Sequence, residues 1–246
     1  MKKLIVGNFK MNTTVHDFSN YLDELLPNIK DTKNTVALSV PYTHLMLASQ
    51  KLVATNIYFG SQNISAQDKG AYTGEISNVM VKDLGAYFTL IGHSEIRKNF
   101  RETNEIINQK IIKALGVNLK VILCVGETRY ERNNKKTKQV LKKQIDIALK
   151  GLYENELKNI VIAYEPIWAI GSGKTPAIKD IEQTITDIKN IVAENFSKRA
   201  GEKIKVLYGG SVNQNNSDGI LKIKNVDGLL IGGACLKPLE FANIIK

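Results

Sequence analysis

The stretch LIVGNFKMN, Leu4 to Asn12, decides between the two α/β folds open to this chain. It begins as a short apolar run of strand character. A doubly wound open sheet that binds a dinucleotide usually carries G-x-G-x-x-G straight after its first strand. Here the strand ends in GNFKMN, with a single glycine and a lysine. Working outward, similar runs recur: TVALSV, IYFGSQNI, YFTLIGH, LKVILCVG, NIVIAYEP, IKVLYGG and DGLLIGGA. Between them lie stretches of helical period, such as HDFSNYLDELLPNI, THLMLASQKLV, TNEIINQKIIKAL and PAIKDIEQTITDIKNIVAENF. Runs that are apolar on both alternations suit strands buried on both faces, and strand–helix repetition requires crossovers that make the sheet parallel. Eight such units in 246 residues match a closed (β/α)₈ barrel in count and length. No low-complexity linker or break in composition divides the chain, so one domain spanning residues 1–246 is expected.

The bulk composition narrows the functional classes. No run approaches the roughly 18 apolar residues of a membrane span. MKKLIVGNFKMN is too short in its apolar part for a signal peptide, so a cytoplasmic protein is expected. Two cysteines, Cys124 and Cys235, form no CxxC and no zinc spacing, and the three histidines lie far apart. No metal or cofactor is called for. The net charge of +10 raises polyanions as partners. Its densest run, Lys135-Lys136-Thr137-Lys138 with Lys142-Lys143, has no aromatic interleaving and reads as a solvated helix face; no nucleic-acid partner is expected.

In a barrel of this kind chemistry collects at the C-terminal ends of the strands. Those ends supply Asn8 and Lys10 after the first strand, His93 after the fourth and Glu165 after the sixth. Gly209-Gly210-Ser211 and Gly232-Gly233 follow the seventh and eighth. Each has a plain structural alternative: a capping glutamate, a hydrogen-bonded histidine, a solvated lysine, tight turns. Together they place a base, a donor, a cation and amide-rich turns around one mouth, and glycine turns let backbone N–H groups approach an anion. The run AYEPIWAIGSGKTP, Ala163 to Pro176, ends like a nucleotide-binding loop, but the required first glycine is Trp168. Pro166 and Pro176 instead bracket small and apolar residues, Ile167 to Gly173, that follow directly on Glu165. This segment is expected to act as a lid; the alternative is a rigid connection.

At these residues the chain resembles the triosephosphate isomerase family over its whole length. The motifs are GNFKMN, QNISAQDKGAYTGE, IGHSE, CVGE, AYEPIWAIGSGKTP, YGGSV and IGGACL, in the family's order and spacing. The resemblance implies a TIM barrel interconverting dihydroxyacetone phosphate and glyceraldehyde 3-phosphate. It implies Glu165 as general base, His93 as neutral electrophile, Lys10 as the charge facing the enediolate, Asn8 as its polar partner and Glu95 in a supporting role. Phosphate contacts are implied for the amides of Gly171, Ser211, Gly232 and Gly233. A homodimer is also implied, with the loop Gln62–Glu75 reaching a second subunit and Thr73 near that subunit's site. Three residues depart from the family pattern: Phe9 for tryptophan, Ile96 for the arginine of GHSERR, and Cys235 for the serine of GGASL. Phe9 keeps an aromatic filler, Ile96 bears on the subunit contact, and Cys235 leaves the phosphate-binding amides intact. Rival readings are a different phosphate-binding barrel, such as a sugar-phosphate lyase or cyclase, and a basic surface-binding protein.

Overall fold

The computed structural model describes residues 2–171, 173 and 175–246. Eight strands run β1 (Leu4–Asn8), β2 (Thr35–Val40), β3 (Ile57–Ser61), β4 (Phe88–Ile91), β5 (Lys120–Val125), β6 (Ile160–Tyr164), β7 (Lys205–Tyr208) and β8 (Gly228–Ile231). Each pairs in parallel with the next, and β8 pairs with β1, so the sheet closes into a barrel. The helices around it are α1 (Val15–Ile29), α2 (Leu45–Leu52), α3 (Asn78–Asp83), α4 (Ser94–Asn99), α5 (Asn104–Gly116) and α6 (Arg129–Asn133). They continue with α7 (Thr137–Ala148), α8 (Ile178–Asn195), α9 (Lys198–Lys203), α10 (Ser217–Leu221) and α11 (Pro238–Ile245).

The two alternations of each strand go to two different cores. In β5, Val121, Leu123 and Val125 pack outward against the helices, while Ile122 and Cys124 fill the barrel. In β8, Leu229 and Ile231 face out and Leu230 faces in; in β7, Val206 and Tyr208 face out and Leu207 in. This is why the strand runs are apolar at every position. The helices have one apolar stripe only. In α1 that stripe is Phe18, Tyr21, Leu22, Leu25 and Ile29, a spacing of three and four residues. Its start is fixed by a capping box: Thr14 Oγ1 accepts the Asp17 amide and the Asp17 carboxylate accepts the Thr14 amide.

Two expectations are refined by the structure. The basic run begins before its helix, because Lys135 takes a left-handed φ of 56° and Lys136 is the residue preceding α7. The loop after β3 contains no helix or strand from Gln62 to Ser77, and Thr73 lies exposed at its tip. Phe9 is fully buried and meets Phe18 and Tyr21 edge-on at 5.1 and 4.9 Å. Among the described residues no helix is long and apolar enough to cross a membrane.

Phe9 thus holds the end of β1 onto α1 by packing alone. Phe9→Ala is expected to lower unfolding stability by about 3–5 kcal/mol, measured by urea denaturation; a loss under 1 kcal/mol would show that the site collapses around the smaller side chain.

Candidate active site

At the C-terminal mouth a cavity of about 330 Å³ is lined by Asn8, Lys10, His93, Glu165, Gly171 and the glycine-rich turns after β7 and β8. Ser211, Gly232 and Gly233 line it too. Strand alternation brings several of these residues here. Val6 and Ala163 point into the barrel, and two residues further along the same alternation stand Asn8 and Glu165. On β4 the inward residues are Phe88 and Leu90. His93 lies off that parity, and the intervening Gly92 takes a left-handed φ of 75° that re-aims the chain.

Glu165 and His93 meet directly. The Nε2 of His93 is 3.0 Å from Glu165 Oε1, with both side chains almost completely buried. Glu165 Oε2 accepts the backbone amide of Ser94 at 3.3 Å. His93 precedes α4, and its Nδ1 accepts the amide of Glu95 at 3.3 Å. A nitrogen accepting that N–H carries no proton, so the ring proton sits on Nε2 and points at Glu165. Burial works against the charge on Glu165, but the adjacent imidazole, the Ser94 amide and Lys10 outweigh it and hold the carboxyl below its ordinary value. Burial likewise pulls His93 down, while the Glu165 carboxylate and, more weakly, Glu95 push it up and prevail. With Nδ1 an acceptor the ring is the Nε2–H tautomer, whose protonation the adjacent carboxylate favours and burial resists.

Lys10 adopts a left-handed φ of 52°. Its backbone is pinned from both sides: its amide donates to Asn8 Oδ1 at 3.0 Å, and its carbonyl accepts from Gln62 Nε2 at 2.8 Å. Its ammonium reaches Glu95 Oε1 at 2.7 Å and lies under Gly232, where an added Cβ would come within 3.2 Å of Lys10 Cε. Glu95 does not line the cavity; it acts on it through Lys10. Thr73 belongs to the separate loop tip.

The sequence reading passed over four supporting residues. Gly126 of CVGE is required sterically, since a Cβ there would sit 1.8 Å from the Glu165 carbonyl. Gln62 anchors Lys10, and Ser94 holds Glu165. Glu127, fully buried, accepts from Trp168 Nε1 at 2.9 Å and Tyr164 OH at 3.2 Å. Burial raises its pKa. The guanidinium groups of Arg129 and Arg132 lie 4.5 and 4.8 Å from the Trp168 ring centre. Each of these residues stands in a quoted motif or beside one, but its role depends on a partner distant in sequence.

The start of the expected lid is thus tied down at the 3₁₀ turn Ile167–Ala169. At its other end Thr175 Oγ1 contacts the Ser211 carbonyl at 3.4 Å. Ser172, part of the expected lid, and Lys174, part of the rejected nucleotide-loop pattern, lie outside the described residues. Cys124 and Cys235 are both fully buried, and burial pushes both thiols up. Among the described residues no three His, Cys, Asp or Glu side chains are grouped to hold a metal ion.

A family profile described as triosephosphate isomerase matches residues 3–246. The chain belongs to the triosephosphate isomerase family. The triosephosphate isomerase of Caldanaerobacter subterraneus is 42% identical over 245 residues, covering 100% of this chain and 99% of that one. That of Alkaliphilus metalliredigens is 44% identical over 245 residues, with the same coverage. The crystal structure of triosephosphate isomerase from Bartonella henselae superposes with a TM-score of 0.89 at 36% identity, covering 99% of this chain and 98% of that one. The barrel is therefore the triosephosphate isomerase fold, and the whole chain takes part in the match.

The mutual shifts in the pair can be read separately. Glu165→Gln removes the charge that raises His93, leaving burial in place, so the His93 pKa is expected to fall below its wild-type value. Imidazole titration by NMR measures this directly; an unchanged value would assign the shift to another group.

Proposed function

We propose the following division of labour for the reaction of this family, the aldose–ketose interconversion of dihydroxyacetone phosphate and D-glyceraldehyde 3-phosphate. Glu165 takes a proton from one carbon of the bound triose and returns it to the neighbouring carbon. His93 Nε2–H and the Lys10 ammonium face the oxygens of the enediolate formed in between. Asn8 orients Lys10 through its amide, and Glu95 steadies the ammonium. The amides of Gly171, Ser211, Gly232 and Gly233 hold the phosphate. The observation that carries this reading is the 3.0 Å approach of Glu165 and His93 inside the cavity that Lys10 and the glycine turns also line.

The chemistry fits those groups. A depressed carboxyl pKa keeps Glu165 ionised at neutral pH and able to accept a proton. A positioned base contributes about 10²–10⁴ in rate, and one donor aimed at a developing oxyanion about 2.7–4 kcal/mol. Once a substrate separates Glu165 from His93, the carboxylate no longer raises the ring, and burial favours the neutral imidazole, which donates through Nε2–H. Closure of the segment after Pro166 over the phosphate excludes water from the enediolate; this family's loop is itself a reference case for such gating.

We also propose a cytoplasmic homodimer acting in glycolysis and gluconeogenesis. Its interface would centre on a groove of about 800 Å³ beside the catalytic mouth, lined by Met11, Tyr42, Tyr72, Ile96 and Phe100 among others. Met11 is 96% and Phe100 75% exposed in the single chain, which supports their burial by a partner's Thr73 loop. Ile96 lies in this groove, so its apolar side chain removes one charge from the proposed contact.

A coupled assay with each triose phosphate tests the assignment. Glu165→Gln should abolish most turnover, and Glu165→Asp, which withdraws the carboxylate by about 1 Å, should cost about 10²-fold. Near-normal turnover in either variant would mean that another residue is the base. The only tryptophan, Trp168, provides a second readout. Saturation with a phosphate-bearing enediolate mimic is expected to change its fluorescence as it leaves Glu127; an unchanged spectrum at demonstrated saturation counts against lid closure.

A further inference from the structure

The opposite mouth of the barrel carries a second cavity, of about 300 Å³, at the N-terminal ends of the strands. Five lysines line it: Lys2, Lys120, Lys158, Lys203 and Lys205. No carboxylate lines it among the described residues. Some lysines elsewhere have carboxylate partners: Lys51 with Asp23, Lys113 with Asp68, Lys142 with Asp146 and Glu194, Lys189 with Asp227. Among the described residues none of the five has an ion-pair partner. They gather five of the chain's 34 lysine and arginine charges in one concave place.

The floor of this cavity is apolar. Leu4, Phe88 and Ile122 form it, at the bottom of the side-chain column that fills the barrel. One wall is the stacked pair Tyr58–Tyr87, with ring centres 4.2 Å apart. Lys120 also lies over the Tyr87 ring, with its ammonium 5.4 Å from the ring centre. Those rings, stacked on each other, supply a wall to the cavity. Like charges converging on one hollow repel each other, and an anion entering it relieves that repulsion while an apolar body covers the floor.

We propose that this N-terminal mouth is a second ligand site, for a compact organic anion with two or more negative groups on an apolar body. It is separate from the catalytic mouth, because Val6, Leu90, Cys124, Ala163, Leu207 and Leu230 fill the barrel between them.

Calorimetric titration with naphthalenetrisulfonate at low salt tests this. Saturable one-to-one binding is expected. Lys158→Gln/Lys205→Gln alters two exposed lysines, and should weaken it by roughly tenfold. Lys136→Gln/Lys138→Gln removes the same charge elsewhere and should leave it unchanged. Inorganic sulfate, which has no apolar body, should bind at least about tenfold more weakly. Both double variants should keep wild-type isomerase turnover, which verifies their fold independently. Equal losses in the two variants would reduce the effect to bulk charge and overturn the proposal. So would displacement of the probe by a phosphate-bearing enediolate mimic, sulfate binding as tight as the probe's, or the absence of saturation.

Discussion

Closure of the eight-stranded barrel is the constraint on which the rest of the molecule depends. Because β8 pairs with β1, every strand has one alternation facing inward, and inward residues beyond the packed column have only the mouth to occupy. Val6 leads to Asn8, Ala163 to Glu165, Leu207 to Gly209 and Leu230 to Gly232. The same alternation that fills the core with aliphatic side chains thus delivers polar groups and bare backbone to one rim. An open sheet would leave the first and last strands apart, and Asn8 and Gly232 would not share a cavity.

Much of this was legible in the sequence because it is periodic. Strand runs apolar at every position announced two buried faces, and polar residues at their ends announced a shared mouth. What was not legible depends on contacts between distant segments. Nothing local in CVGE says that Gly126 makes room for the Glu165 carbonyl, or that the neighbouring Glu127 holds Trp168. Gln62 lies in a loop chosen for its length, yet its amide supports a strained Lys10 backbone 52 positions away. The direct pairing of His93 with Glu165 was also out of reach, since it joins residues 72 positions apart that follow different strands. His93 itself departs from simple alternation, and only the left-handed turn at Gly92 accounts for its direction.

The two mouths treat positive charge differently. At the catalytic mouth Lys10 is tethered by Glu95, fixed through its backbone and set beside glycine turns. A cation held this way has one position, which suits a small substrate needing charge at one oxygen. At the opposite mouth four of the five lysines are exposed and none has a carboxylate partner. Such charges are adjustable and solvated, so they favour anions by number more than by geometry. The surplus of +10 is consequently a poor guide to where the chemistry lies; in the proposed mechanism the working cation is one that an acid already neutralises.

The resting contact between Glu165 and His93 has a mechanical consequence. Each group lowers the cost of the other's charge, so their separation by substrate must be offset by binding energy. Glu165 is followed at once by Pro166 and the turn Ile167–Ala169, whose Trp168 is held by Glu127 and flanked by two arginines. In the proposed mechanism the carboxylate moves from the imidazole toward a substrate carbon. The rigid proline step between Glu165 and Trp168 couples that movement to the lid's attachment. Phosphate contacts at Gly171 would stabilise the moved state, supplying through a non-reacting part of the substrate the free energy that frees the base. A substrate without its phosphate would leave Glu165 paired with His93, so the phosphate acts on the chemistry as well as on affinity.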